Sequence, residues 1–177
     1  LRGAAADARA VAAVLRDPRR ADPYDEVFLR VNEEATLAAL RARLGSLAGE
    51  LGAEARFILY FAGHGIAEDR DDVGKGPQGF LVPQDARRED TSTFLPMAEV
   101  QKDLARLACR QVLVVLDCCF AGAFRWSRAR DIAFVPARPT LVRERYRRYV
   151  QGRAWQAITS AGSTERANDV LLVRDER

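Results

Sequence analysis

The chain contains a single histidine, His64, and three cysteines, Cys109, Cys118 and Cys119. A thiolate is a strong nucleophile, and an imidazole moves protons near neutral pH. Held together, the two can attack a carbonyl carbon and then protonate the group that leaves. His64 lies between Gly63 and Gly65, directly after the apolar run Phe57–Ala62. Cys118 and Cys119 follow a second apolar run, Val112–Leu116, and Asp117; Gly122 comes shortly after. Taken singly, each has a plainer reading. A histidine beside glycine is often structural or solvent-facing, and a cysteine at a strand end is often a small buried hydrophobe. The joint pattern, each residue at the end of a buried-type strand and flanked by glycine, favours a catalytic pair. The glycines allow sharp turns and close backbone approach to a substrate. Backbone N–H groups beside His64 and at Cys119 are candidates to face an oxyanion. A helix starting after Cys119 would lower its thiol pKa.

The elements must bring these residues together. Ala4–Leu15 has helical spacing and is stopped by Asp17-Pro18. Asp25–Val31 alternates apolar and polar residues and predicts a strand. Asn32 is a candidate N-cap for a helix from about Glu33 to Glu50, with Leu37, Leu40, Leu44 and Leu47 on one face. Phe57–Ala62 and Val112–Leu116 read as strands buried on both faces, as in a parallel sheet. Between them, residues 66–78 read as a polar loop, Phe80–Val82 as a short strand, and Ala98–Ala108 as a helix. Beyond Gly122 the pattern is irregular. A basic, Tyr-containing stretch at Leu141–Val150 reads as a helix, and Gln156–Ser160 and Val170–Val173 read as two short strands. Alternating β and α elements, with apolar strands, predict an α/β fold with an open, mainly parallel sheet covered by helices. Reactive residues past the carboxyl ends of two such strands would meet if the strands are neighbours, since adjacent strands lie about 4.8 Å apart.

Composition narrows the class. With 177 residues the chain is one domain's worth, and 48% hydrophobic content is enough for a packed core. No apolar run approaches the roughly 18 residues of a membrane span. The opening residues lack a basic-then-apolar leader pattern, so they give secretion no support, while any leader would lie upstream of Leu1. A net charge of +3 is too slight to indicate nucleic acid. An odd cysteine count, with two adjacent, fits no disulfide framework; free thiols point to a reducing compartment, the cytoplasm. One histidine and no Cys-x-x-Cys pair undersupply a zinc site, so no metal ligands are assigned. Only two of the 28 basic residues are lysines, and the abundance of Ala and Arg points to a GC-rich, bacterial coding sequence. Residues 125–153 carry nine arginines against Asp131 and Glu144, which in isolation reads as a solvated segment.

Tyr60-Phe61-Ala62-Gly63-His64-Gly65 resembles the histidine motif of the caspase-like cysteine peptidases. Asp117-Cys118-Cys119-Phe120-Ala121-Gly122 resembles their cysteine motif, and is most similar to the metacaspase and bacterial caspase-like branch. The opening Leu1-Arg2-Gly3-Ala4-Ala5-Ala6-Asp7-Ala8 resembles the metacaspase segment after the first strand, which usually reads Leu-x-Gly-Cys-x-Asn-Asp-Ala. The resemblance implies a caspase-like three-layer sandwich. It makes Cys119, not Cys118, the nucleophile and His64 the general acid and base. It implies an oxyanion site at the N–H groups of Gly65 and Cys119. It also implies a primary specificity pocket lined by Asp117 and Asp7. Two carboxylates there favour cleavage after Arg, or Lys, since a guanidinium matches them with paired hydrogen bonds. The plainer alternatives are a surface helix position for Asp7 and a capping or turn role for Asp117.

On this resemblance residues 1–177 are a fragment of one peptidase domain, lacking the first strand and the carboxyl-terminal helices. Residues 125–153 fall where relatives carry the linker between large and small parts, a place for self-cleavage after Arg125, Arg128 or Arg130. The cysteine motif departs from the usual pattern at Ala121, where relatives carry Ser. Phe94-Leu95-Pro96-Met97 lacks the Asp pair that holds calcium in many metacaspases, so no cofactor is expected; Asp69, Asp71 and Asp72 remain the alternative cation ligands. The expected partners are a peptide or protein substrate with a basic residue before the scissile bond and regulatory or sensor domains fused outside these residues, with no nucleic acid and no membrane. The family's bacterial members point to roles in defence or cell death. Two rival readings remain: a catalytically silent caspase-fold signalling module, and a peptidase that cleaves after Asp.

Overall fold

The computed structural model describes residues 3–19, 23–68, 76–127, 154–163 and 165–167, with backbone alone at 125–127. Within these residues the chain is a mixed α/β structure. Helix α1 spans Ala4–Arg16 and helix α2 Leu37–Glu50. Strand β1 spans Arg56–Ala62, β2 His64–Glu68, β3 Gln78–Val82 and β4 Leu95–Pro96. Helix α3 follows at Met97–Ala105, then β5 at Gln111–Asp117 and β6 at Ala154–Thr159. One sheet has the order β1-β5-β6 and is parallel throughout. A second, antiparallel sheet has the order β2-β3-β4 and was not foreseen from the sequence.

The central strand β5 shows why the parallel sheet forms here. Val112, Val114 and Leu116 are buried on one face, among Leu44 and Leu47 of α2 and Val100 and Leu104 of α3. Their register partners Phe57, Leu59 and Phe61 of β1 extend that face. The opposite face, with Tyr60 and Ala62 of β1 and Val115 of β5, is half-buried, and α1 packs against β1. The expectation of burial on both faces therefore holds for one face of β5 only, and β1 is half-buried along its whole length. Phe124 stacks on Trp155 at 5.9 Å between ring centroids, tying the segment after β5 to β6. Arg41 on α2 makes a two-point ion pair with Glu99 on α3, both contacts at 2.8 Å.

Several local expectations are corrected. Asp25–Val31 is not a strand: a bend at Asp25 leads into irregular chain. Alternation encodes an extended backbone with one packing face; a strand also requires a ladder. Here the carbonyl of Val27 accepts from the Arg16 guanidinium at 2.8 Å, and the exposed Phe28 ring lies under Arg43, 3.6 Å from its guanidinium carbon. The second helix begins at Leu37, not Glu33. Thr36 is its cap, its hydroxyl accepting from Ala39 N–H at 3.2 Å, while Asn32 turns at φ 52° into a 3-10 turn over Asn32–Glu34. Residues 66–68, expected in a loop, belong to β2, because pairing with β3 supplies an order that the short mixed segment does not encode locally. Beyond Cys119 the chain forms a 3-10 segment, Ala121–Ser127, rather than an α-helix. The expected elements at 141–150 and 170–173 lie outside the described residues, as do Asp69, Asp71 and Asp72. Among the described residues no helix is long and apolar enough to cross a membrane.

Candidate active site

The pairing of β1 and β5 brings the two motifs to one place. They run parallel in the register Ala62↔Asp117, so His64 and Cys119 both lie just past the same end of neighbouring strands. The Gly63 N–H donates to the Asp117 carbonyl at 3.2 Å, continuing the contact past the strand ends. The chain then enters β2, with His64 exposed at its first position and Gly65 buried at the next. A Cβ at Gly65 would sit 2.1 Å from the Cys119 carbonyl oxygen and 2.9 Å from Cys118 Sγ. The backbone after His64 thus lies directly against the backbone of Cys119, an approach that only glycine permits.

The cysteine turn is held from its other side by the residues after β6. Ser160 N–H donates to the Leu116 carbonyl at 3.0 Å, and the Ser160 hydroxyl to the Cys118 carbonyl at 3.4 Å. Phe120 N–H donates to the Glu165 carbonyl at 2.8 Å, and Gly122 N–H to the Ala161 carbonyl at 2.9 Å. The Glu165 carboxylate folds back to accept from Gly162 N–H at 2.9 Å. The Cys119 thiol faces the Ala167 carbonyl at 3.8 Å. Phe120 adopts φ 53°, a left-handed conformation uncommon for a bulky residue, which bends the chain immediately after Cys119.

The two adjacent thiols differ. Cys118 is 2% exposed, and burial, reinforced by Cys119 and Asp117, pushes its pKa up to about 12. Cys119 is partly exposed. The third cysteine, Cys109, is buried in the core away from this turn.

A second cluster adjoins the first. Asp117 is exposed at the end of β5, and Asp7 is exposed in the first turn of α1. Burial, and then the charges of Asp117 and Asp7, push the Tyr60 phenol pKa up to about 12. The structure therefore brings Asp7, Tyr60 and Asp117 into one neighbourhood beside the His64 and Cys119 motifs. Tyr60 was not singled out among the candidate residues, nor were the supports Ser160 and Glu165. The available signal for Tyr60 was a polar-tipped ring two positions before Ala62, hence on the same strand face. Ser160 and Glu165 had none, because their partners are distant in sequence.

The caspase domain family model matches residues 1–170. No curated protein matches the chain. Among solved structures, the crystal structure of a structural-genomics protein from Geobacter sulfurreducens is similar, at 25% identity and a TM-score of 0.52. The match covers 65% of this chain and 40% of that one, so the chain spans less than half of that protein's length.

Proposed function

This chain belongs to the caspase domain family of cysteine peptidases, and from that premise we propose that it is an endopeptidase whose working pair is Cys119 and His64. The family implies a protein or peptide substrate. The observation that carries the residue assignment is the β1–β5 register with the backbone of Gly65 seated against Cys119. The choice of Cys119 over its neighbour rests on access and ionisation. Cys118 is enclosed and holds its proton far into the alkaline range.

In the proposed reaction the Cys119 thiolate attacks the scissile carbonyl, forming a C–S bond, while the carbonyl oxygen takes up negative charge. The N–H groups of Gly65 and Cys119 are the assigned donors to that oxyanion. Collapse of the intermediate breaks the C–N bond, and His64 gives its proton to the departing amine. Water, deprotonated by His64, then attacks the thioester, and the carboxylic acid product leaves with the thiol restored. No cofactor is assigned to these steps.

We assign the primary specificity pocket to Asp7 and Asp117 and its ligand to an arginine, or lysine, side chain before the scissile bond. The closeness of two exposed carboxylates to the Tyr60 hydroxyl supports this, since they attract a cation and repel an aspartate. Residues 125–153 are proposed as an arginine-rich linker open to self-processing, within a regulatory peptidase of bacterial defence or cell death. A fluorogenic panel with Arg, Lys and Asp before the leaving group tests the reading. Turnover of the Arg substrate, absent from Cys119→Ala and His64→Ala, is expected; turnover of the Asp substrate alone, or none at all, would overturn it.

A further inference from the structure

The Tyr60 hydroxyl is bound up with the acidic pocket in a way that the cysteine and histidine do not require. Tyr60 pairs with Val115 and Ala62 with Asp117, so Tyr60 and Asp117 are diagonal neighbours on one face of the parallel sheet. At that spacing a long aromatic side chain reaches its diagonal partner. Helix α1, which carries Asp7, packs against the same strand. We infer that Tyr60 is a positioning residue for the specificity pocket: its hydroxyl donates to Asp117 and fixes that carboxylate to receive a guanidinium. This rests on the proposed preference for arginine and goes beyond it by naming what enforces the preference.

Asp117 is exposed at a strand end, where an unrestrained carboxylate samples several rotamers, and ordering it on binding costs entropy. A hydrogen bond from Tyr60 meets that cost before the substrate arrives. It occupies part of the carboxylate's acceptor capacity and leaves the rest, with Asp7, facing solvent. Two fixed acceptors suit the planar fork of arginine, which needs direction as well as charge; a lysine ammonium is a point charge and tolerates a wandering partner. The phenol is well suited to the task, since burial and both carboxylates keep it protonated up to about pH 12.

The test uses the intact chain carrying Cys119→Ala, so that binding is read without turnover. Affinities are measured for two product peptides that differ only in ending with Arg or Lys, with Tyr60 intact and in Tyr60→Phe. Removing the hydroxyl is expected to weaken the Arg peptide about 10-fold, as for loss of a hydrogen bond to a charged group. The Lys peptide should weaken much less. In an Asp117→Asn background the same Tyr60→Phe change should have no further effect, and unchanged thermal unfolding verifies that the ring still packs. Equal weakening of both peptides, no weakening, full additivity with Asp117→Asn, or no binding of either peptide would overturn the inference. Failure of the peptidase reading looks different: the chain with Cys119 intact would turn over no arginyl substrate while the Tyr60-dependent preference for the Arg peptide persisted.

Discussion

Cys118 and Cys119 share a sequence neighbourhood and have opposite chemical prospects. A buried thiol such as Cys118 cannot shed its proton without leaving a charge in an apolar setting, whereas Cys119 is partly exposed and open to a reagent. Iodoacetamide at neutral pH should therefore modify Cys119 first in the native protein, with Cys109 and Cys118 reacting only on unfolding; peptide mapping would detect the contrary case, Cys118 modified at a comparable rate. The same burial bears on stability. Unfolded, Cys118 would release its proton near its ordinary value of about 9, but folded it holds on to about 12. The unfolded state thus binds fewer protons across that window, and stability falls as pH rises from about 9 to 12. Tyr60 adds to the fall from about pH 10. Denaturant midpoints against pH should show this decline, and Cys118→Ala should flatten it. For Asp117, substitution by Asn removes charge and one acceptor oxygen, so kcat/KM for an arginyl substrate should drop about 10- to 100-fold, the worth of a hydrogen bond to a charged group.

At the scale of elements, the site exists because β1 and β5 are parallel neighbours whose ends are in register. Gly65 sets how closely the two motifs approach. An added methyl there meets backbone at 2.1 Å, so Gly65→Ala should destabilise the fold by about 1–3 kcal/mol and remove activity by separating the motifs. Gly49, exposed near the end of α2 with open space around it, is the contrast: Gly49→Ala should stabilise by about 0.5–1 kcal/mol and leave turnover unchanged. Parallel denaturation curves and activity assays check both. The apolar runs at 57–62 and 112–116 made these strands legible from sequence, and helical spacing did the same for α1 and α3. Partnership was less legible. Asp25–Val31 has a strand's pattern without a strand's ladder, and β2 has the ladder without the pattern. Of the candidate site, the meeting of the His64 and Cys119 motifs could be read because each follows a strand that announces itself. Tyr60 could not, because its relation to Asp117 depends on register, which the sequence does not display.

Across the whole molecule, the family match over residues 1–170 joins segments that are remote in sequence: α1 with Asp7, the histidine strand, the cysteine strand, and β6 with the turn that holds Cys119. Residues 125–153 connect the last two, and their arginines match the proposed specificity. Incubated alone, the protein should yield fragments newly ending in arginine from this stretch, and Cys119→Ala should yield none; fragments common to both would contradict self-processing. Sulfur 119 is the proposed nucleophile of a pocket proposed to read arginine. The most direct test is intact-mass and peptide mapping after exposure to a peptidyl-arginine chloromethyl ketone. One adduct is expected, on Cys119, retained in Cys118→Ala and lost in Cys119→Ala and in the presence of excess arginyl peptide. An adduct on Cys118, or an unmodified protein, would contradict it.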